Sequence, residues 1–265
     1  MSDEGVKKTM GVALGVCLVC SILVSGSAVL LNDIQKENRN EEKLRNILIS
    51  GDLYTKGSNS AEIFNRNIQP EIIELQAGKP ITEADYGDVF NIESFDINVI
   101  AKNPKTSRAL SVNQDIAQIR RVPEVMIIYK VKENIQITKL ILPVYGNGLW
   151  DMMYGFIALD RDLTTIKGFT FYEHGETPGL GGEVDNPRWK KLWVGKQAYD
   201  IEGKVKISVI KGVADPSSPV AKYQVDGLSG STLTTRSVHN LVRFWLGDQG
   251  YGPYLERLRE QGIDS

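Results

Sequence analysis

The chain contains few of the residues on which several common kinds of site depend. Among its 265 residues there are two cysteines, Cys17 and Cys20, and both lie in an apolar N-terminal segment. The rest of the chain therefore has no thiol for a disulfide framework, a cysteine-ligated zinc site or an iron–sulfur cluster. This absence is typical of an exported domain but does not prove one.

The chain also has no strong excess of charge of either sign. It has 31 Lys and Arg residues against 33 Asp and Glu residues, without a basic run of the kind that neutralises a phosphate backbone. We therefore expect no nucleic acid among its partners. With 42% hydrophobic and 24% charged residues, the composition is that of a mostly soluble, folded protein.

The N-terminal segment is long, apolar and free of charge. No residue between Lys8 and Asp33 is charged, and about 20 apolar residues are enough to cross a bilayer as a helix. A cleaved signal peptide is the alternative, because basic residues precede the apolar run and residues 25–28 are small. The apolar run continues beyond the end of a usual signal peptide. This favours a retained transmembrane helix at residues 9–32, after a short tail at residues 1–8.

The soluble part begins and ends with helical patterns. Residues 37–49 are charged with one apolar side, which predicts an amphipathic helix. A second helical pattern covers residues 59–78, where Pro70 must break or kink the helix. Apolar residues at helical spacing in residues 238–245 predict a core-facing helix that ends at Gly247.

Strand-like segments fill the middle of the chain. They are rich in Val, Ile, Tyr and Thr, and a short polar stretch between the first two predicts a hairpin. Strands in the middle with helices at both ends predict an α+β fold. We expect a mixed, largely antiparallel sheet with flanking helices, preceded by one N-terminal transmembrane helix. The predicted strands are residues 125–131, 135–144, 154–159, 165–172, 205–210 and 220–225.

The most informative segment is residues 226–234, Asp-Gly-Leu-Ser-Gly-Ser-Thr-Leu-Thr. It follows a predicted strand and opens the last predicted helix. Ser231, Thr232 and Thr234 therefore lie where first-turn backbone N–H groups have no partner within the helix. Such a helix terminus favours a phosphate, and the glycines let the backbone approach a ligand closely. From the residues alone, an ordinary turn with a Ser or Thr cap explains the segment equally well.

Residues 226–232 resemble the flavinylation motif of the FMN-binding domain family. This domain occurs in a flavin-carrying subunit of the Na+-translocating NADH:quinone oxidoreductase and in the corresponding subunit of the related Rnf electron-transport complex. In the motif an Asp leads, a Ser or Thr follows three positions later and the acceptor Thr comes three positions after that. Here these are Asp226, Ser229 and Thr232. The position before the acceptor is usually Ala but here is Ser231, which adds a second hydroxyl beside the acceptor.

Two further segments are similar to the same family and occur in the expected order. Residues 176–181, Glu-Thr-Pro-Gly-Leu-Gly, are similar to part of the family's flavin pocket, although by themselves they would indicate a long turn. Residues 145–150, Tyr-Gly-Asn-Gly-Leu-Trp, are similar to the family's Gly-x-Gly-Leu-Trp loop, although by themselves they would indicate a hairpin with a core Trp.

The resemblance implies an FMN bonded covalently, through its phosphate, to the hydroxyl of Thr232. A separate flavin transferase would use FAD as the donor and release AMP, and Asp226 with Gly227 would be its recognition residues. No catalytic side chain and no metal are implied, because the redox chemistry belongs to the flavin. The other residues implied at the flavin are Tyr145, Leu149, Trp150, Glu176, Thr177, Gly179, Leu180, Ser229, Ser231 and Leu233.

The resemblance also implies where the chain works. It would be an electron-carrying subunit that crosses the cell inner membrane once, with its soluble part on the periplasmic side and the other subunits of the NADH:quinone oxidoreductase as partners. Basic residues lie on both sides of the apolar segment, so charge alone does not give this orientation. We assign residues 33–122 to a membrane-proximal helical and mixed region and residues 123–265 to the FMN-binding domain.

The sequence leaves three other interpretations open. The flavin-carrying subunit of an Rnf-type complex has the same flavin motifs. A noncatalytic extracytoplasmic binding module would have the membrane helix but no flavin. A hydrolase would use residues 227–231 as a nucleophile elbow, but these residues lack the final Gly, and the available bases are His174 and His239.

Overall fold

The computed structural model describes residues 3–82 and 95–264, and it divides the chain into two compact units, Met1–Lys43 and Leu44–Ser265. A long helix, α1 (Asp3–Ser50), makes up the first unit and contributes its last residues, from Leu44 onward, to the second. This helix is long and apolar enough to cross a membrane, and its residues 5–42 are exposed on all sides. The amphipathic helix predicted at residues 37–49 is therefore the continuation of α1.

The second unit is built on an antiparallel sheet of six strands in the order β2-β1-β5-β6-β7-β8. The strands β3 and β4 form a small antiparallel pair, and β9 and β10 form a short parallel pair. The strand bounds are β1 Ile68–Glu74, β2 Lys79–Ile81, β3 Ser107–Ala109, β4 Arg121–Pro123, β5 Val125–Glu133, β6 Gln136–Asn147, β7 Met152–Asp160, β8 Ile166–Glu173, β9 Ser208–Val209 and β10 Gln224–Val225.

In the sequence of the second unit, helices lie both before and after the strands of the sheet. Besides two 3₁₀ turns, Gly181–Asp185 and Ala221–Tyr223, the structure places five helices after α1 in the described residues. They are α2 Ser60–Asn67, α3 Ile97–Lys102, α4 Pro187–Lys191, α5 Thr232–Leu246 and α6 Gly252–Gln261. The α+β fold with a largely antiparallel sheet behind an N-terminal apolar helix is thereby confirmed.

The helix α5 packs its predicted apolar stripe against the sheet. Val238, Leu241, Val242 and Trp245 are all buried, and the indole N–H of Trp245 donates to the carbonyl oxygen of Tyr145 in β6 at 2.6 Å. A buried apolar stripe together with this buried hydrogen bond fixes the helix to the sheet. The C-terminal half of α5 therefore has a defined place beside β6.

The predicted helix at residues 59–78 is wrong in its second half. Helix α2 ends at Asn67, and residues 68–74 form β1, between β2 and β5. Pro70 is opposite Tyr129 of β5, whereas β2 pairs only with residues 72–74 of β1. In the described part of the chain, the side of β1 that faces away from β5 therefore has no strand opposite Pro70, and such a position tolerates proline.

One other expectation needs correction. Of the strands predicted at residues 205–210 and 220–225, only Ser208–Val209 and Gln224–Val225 are strands, and a 3₁₀ turn occupies Ala221–Tyr223 in the second segment. Across the boundary expected between residues 122 and 123, β1 pairs along its whole length with β5. The hairpin predicted after residue 131 is confirmed, with Glu133 opposite Gln136.

Candidate functional site

The motif turn, residues 226–231, connects β10 to α5 and is held by buried hydrogen bonds. The hydroxyl of Thr235 accepts the N–H of Leu228 at 2.9 Å and donates to the carbonyl oxygen of Ser231 at 2.9 Å. Gly230 has a φ of +73°, a conformation that favours glycine. The turn is thus fixed to the first turn of α5 by a side chain of the helix itself.

The helix α5 begins at Thr232, and the side chain of Ser231 does not cap it. The Ser231 hydroxyl instead donates to the hydroxyl oxygen of Thr234 at 2.8 Å, and both side chains are buried. Thr232 is exposed. The N–H groups of this first turn have no acceptor inside the helix and add the positive end of the helix dipole. The acceptor predicted from the motif is therefore an accessible hydroxyl at an uncapped helix N-terminus.

Glu176 joins the three segments that the sequence singled out. Its side chain is 5% exposed, and its Oε2 accepts the hydroxyl hydrogen bond of Thr234. Its Oε1 accepts the backbone N–H of Leu149 at 2.7 Å and that of Trp150 at 3.3 Å. A buried carboxylate is stable only with such partners. The loop after β6, the loop after β8 and the start of α5 are thereby tied to one carboxylate.

Glycines make room for this arrangement. A Cβ atom at Gly148 would collide with Oε1 of Glu176, and one at Gly181 would collide with Oε2 and lie 2.6 Å from the hydroxyl oxygen of Thr234. Both positions therefore require glycine so that the backbone can close around the carboxylate.

A second polar group supports the loop that carries Glu176. Nδ1 of His174 accepts the N–H of Glu176 at 3.2 Å, and its Nε2 lies 2.8 Å from Oδ2 of Asp185. Burial alone would raise the pKa of the Asp185 carboxyl, but the hydrogen bond from His174 and the charge of Lys190 hold that pKa below its usual value of 3.8. The carboxylate of Asp185 therefore stays charged and keeps the imidazole in position.

These segments enclose an open cleft of about 330 Å³. Its apolar surface comes from exposed side chains, including Trp150, which is 71% exposed. The cleft is lined by Leu149, Trp150, Glu176, Thr177, Leu180, Gly181, Gly230, Ser231, Thr232 and Leu233. Its apolar walls and single helix N-terminus match the composition of a site for a flat aromatic ligand with a phosphate.

Most of the predicted cofactor residues line this cleft, but three do not. Tyr145 lies in the core, where it is 2% exposed and its ring stacks on Tyr154 at 5.7 Å. Gly179 forms a turn with a φ of +76° and Ser229 is exposed on the motif turn, and neither contributes to the lining.

Sequence reasoning missed two lining residues and the supports of the cleft. Gly181 and Gly230 line it, and the hydroxyls of Thr234 and Thr235 hold it together. The glycine density of both segments is a signal for the first pair, because tight turns and close approaches favour glycine. The partner of Thr234 is 58 residues away in sequence, so no local pattern indicates it.

Both histidines are hydrogen-bonded to other groups, so the hydrolase interpretation lacks a base for its serine. His239 accepts the N–H of Val209 at its Nδ1 at 3.2 Å, and His174 is engaged as described above. The hydroxyl of Ser231 donates to Thr234. A nucleophilic serine needs a base within hydrogen-bond reach, and in the described residues neither Ser229, the central serine of residues 227–231, nor Ser231 is hydrogen-bonded to a histidine.

Comparisons with known proteins agree with this geometry. Residues 148–247 match the FMN-binding domain family. The NqrC subunit of the Na(+)-translocating NADH-quinone reductase from Pseudomonas aeruginosa is 45% identical over 262 residues, covering 98% of both chains. The same subunit from Vibrio vulnificus is 43% identical over 263 residues, covering 99% of both chains.

Crystal structures of similar proteins have the same fold. NqrC from Shewanella oneidensis has a TM-score of 0.75 and 34% identity, covering 85% of this chain and 99% of that chain. The same subunit of the Na(+)-translocating NADH-quinone reductase from Parabacteroides distasonis has a TM-score of 0.62 and 26% identity, covering 85% and 96%. Identity above 40% along nearly the whole of both chains decides between the two families that share the flavin motifs. The chain belongs to the NqrC family, which is a subunit family of the Na(+)-translocating NADH-quinone reductase.

Proposed function

We propose that this chain carries FMN bonded through a phosphoester to Thr232 and relays electrons within a Na+-translocating NADH-quinone reductase. The observation that carries the proposal is the exposed hydroxyl of Thr232 at the uncapped N-terminus of α5, beside an open and largely apolar cleft. The relatives from Pseudomonas and Vibrio are subunits of that reductase, which supports the assignment to the same assembly.

Thr232 is a better acceptor than Ser231 for a geometric reason. Ser231 is 7% exposed, and its hydroxyl donates a hydrogen bond to Thr234, whose hydroxyl donates one to Glu176. Esterification of Ser231 would remove this donor and place a phosphate in the buried network next to a carboxylate, where two like charges repel. Thr232 is exposed and can be esterified without breaking a hydrogen bond of the network.

The residues of the cleft fit an FMN. The backbone N–H groups at the start of α5 suit its phosphate, since helix N-termini attract anions. Leu149, Trp150, Leu180 and Leu233 offer exposed apolar surface to an isoalloxazine ring. When bound, FMN supplies one- and two-electron transfer, and the chain itself supplies position and shielding.

The side chains of the cleft therefore act by orientation and not as acid, base or nucleophile. Glu176 fixes the Leu149–Trp150 backbone against the start of α5, and Thr234 completes that contact. A covalent bond at Thr232 would prevent loss of the cofactor by dissociation. This suits a domain on the periplasmic side of the inner membrane, which is where we place it.

The membrane part of the proposal has its own test. With α1 as a retained anchor, the chain stays in the membrane fraction after alkaline carbonate extraction and keeps its N-terminal residues. Added protease should digest the soluble part in spheroplasts. Release by carbonate, loss of residues 1–28 from the mature chain, or protection from the protease in spheroplasts would each contradict this placement.

The attachment is tested with two single substitutions in the full-length chain, expressed together with a flavin transferase. Thr232→Ala should abolish in-gel flavin fluorescence after denaturation, while Ser231→Ala should keep it. Ser231→Ala also loses one buried hydrogen bond, which should lower the free energy of unfolding by about 1 kcal/mol. The opposite pattern of fluorescence would move the attachment to Ser231.

A further inference from the structure

The first two residues of the motif turn point into the fold. Oδ1 of Asp226 accepts the backbone N–H of Ala214 at 2.9 Å, and its backbone oxygen accepts the indole N–H of Trp189 at 2.9 Å. The N–H of Gly227 donates to the carbonyl oxygen of Gly212 at 2.9 Å. Asp226 and Gly227 are therefore bonded to two other segments of the domain, residues 212–214 and helix α4.

Gly227 has no space for a side chain. A Cβ atom there would collide with the carbonyl oxygen of Ile210 and lie 3.2 Å from Cγ2 of Thr235. Any larger residue must separate the motif turn from the segment at residues 210–214 or displace the start of α5. The glycine thus sets the distance between these two segments.

The second half of the turn has the opposite character. Ser229 and Gly230 are exposed, as are Thr232 and Leu233 at the start of α5, whereas Leu228 and Ser231 are buried and bonded to Thr235 and Thr234. An enzyme that approaches the folded domain meets the exposed part of the turn. The acidic side chain that opens the motif is half-buried and already has a partner.

We propose that Asp226 and Gly227 are positioning residues for the attachment of FMN. They hold the motif turn so that the hydroxyl of Thr232 is presented to the flavin transferase, which recognises the shape and the exposed residues of the turn and not the charge of Asp226. This inference rests on the proposed attachment at Thr232.

The reaction that this geometry serves is a phosphoryl transfer. The Thr232 oxygen bonds to the phosphorus of the FMN half of FAD, and the bond from that phosphorus to the AMP oxygen breaks. AMP leaves, and the hydroxyl proton is released. An acceptor held in one orientation reacts faster than one on a mobile turn, because positioning lowers the entropic part of the barrier.

The variant Asp226→Asn distinguishes the hydrogen-bond acceptor of Asp226 from its charge. Asn keeps the Oδ1 acceptor for the N–H of Ala214 but has no charge, whereas Ala removes both. The initial rate of flavin attachment is measured by in-gel fluorescence on the full-length chain with a flavin transferase and FAD. We expect Asp226→Asn to be within about twofold of the wild type and Asp226→Ala to be about fivefold slower, the size expected for one lost hydrogen bond.

Two further variants test Gly227 and Trp189, which adjoin Asp226 in the sequence and in the fold, respectively. Gly227→Ala should also slow attachment, because its Cβ displaces the turn. Trp189→Phe keeps the ring in its place but removes the donor to the Asp226 carbonyl, so it should slow attachment without loss of folding. If Asp226→Asn is as slow as Asp226→Ala, or if Asp226→Ala reacts at the wild-type rate, the positioning role is refuted.

A second readout does not depend on flavin. In the unmodified full-length chain, the Ala214 amide should lose protection from hydrogen exchange in Asp226→Ala and keep it in Asp226→Asn. Equal protection in both variants would overturn the inference even if attachment rates differ. A wild-type chain that never acquires flavin would refute the proposed function, while the exchange experiment would still decide whether Asp226 holds the turn.

Discussion

The cleft depends on one buried carboxylate. Glu176 accepts hydrogen bonds from two backbone N–H groups of the loop after β6 and from the hydroxyl of Thr234 on α5. Removal of this side chain leaves the buried hydroxyl of Thr234 and two partly buried N–H groups without this partner, and an unsatisfied buried group costs more free energy than its bond contributes on formation. Glu176 is therefore a structural residue of the site as well as part of its lining.

We predict that Glu176→Ala lowers the free energy of unfolding by about 3 kcal/mol, since it removes bonds to a charged group and leaves the buried hydroxyl of Thr234 unsatisfied. Glu176→Gln should lower it less, because its amide oxygen can still accept from Leu149 and Trp150. Urea unfolding of the unmodified full-length chain in detergent measures both changes.

The matched control is Glu173→Ala, which removes an exposed carboxylate at the end of β8. It should change the free energy of unfolding by less than about 0.5 kcal/mol. Equal effects at positions 173 and 176 would mean that the carboxylate of Glu176 does not hold the cleft together.

The sequence predicts which segments meet but not how each residue is used. Leu149, Trp150, Glu176 and Thr232 are all expected at one site, and they line one cleft. Tyr145 is expected there because it belongs to the same motif as Trp150. Its side chain instead packs in the core against Tyr154 and Trp245, because Tyr145 lies within β6, where residues 140–146 are all buried, whereas Trp150 lies in the loop after the strand.

Among the strands, prediction succeeds where the pattern is unambiguous. Residues 125–131 are β-branched or aromatic in five of seven positions and residues 154–159 in three of six, and they form parts of β5 and β7. The apolar spacing of residues 59–78 also fits a helix, although Pro70 must break or kink it, so the sequence predicts a helix there. In the residues that the structure describes, the short strand β2 does not reach Pro70, and no local signal gives the length of a neighbouring strand.

The C-terminal end of α1 is part of the core of the second unit. Ile47 and Leu48 are almost fully buried, and the ammonium group of Lys139 in β6 donates to the carbonyl oxygen of Gly51 at 2.7 Å. The last turn of this helix thus contributes apolar surface to the sheet-based domain.

We expect Leu48→Ala to lower the free energy of unfolding by about 2–5 kcal/mol, the range for a large apolar side chain removed from a core. Ile49→Ala is the matched control on the same turn, because Ile49 is 40% exposed and its loss should have a much smaller effect. Denaturant unfolding of the full-length variants gives both values. A loss at position 49 as large as that at position 48 would show that the helix end is not packed as described.

For the molecule as a whole, His239 makes stability depend on pH. Burial, with a smaller contribution from the charge of Arg243, lowers the pKa of His239 below its ordinary value of 6.5. The unfolded chain therefore binds this proton more strongly than the folded chain does. The contribution of His239 to the free energy of unfolding is fully present above pH 6.5. It is lost as the pH falls from 6.5 through the lower pKa of the folded chain.

The variant His239→Gln should lack this dependence while its amide oxygen still accepts from the N–H of Val209. The difference in unfolding free energy between wild type and variant is compared at about pH 8 and about pH 5.5, on either side of the ordinary histidine pKa. We expect it to shift in favour of the variant at the lower pH. A difference that stays constant with pH would show that His239 titrates alike in the folded and unfolded chains.

The central claim is a single covalent bond, and peptide mass spectrometry tests it most directly. Trypsin cleaves after Lys222 and Arg236, so the acceptor lies in a peptide of residues 223–236 with several hydroxyl side chains. The full-length chain, made together with a flavin transferase, should yield this peptide with the added mass of FMN less one water, and fragmentation should locate the addition at Thr232. An unmodified peptide, or an addition located at Ser229, Ser231, Thr234 or Thr235, would contradict the account.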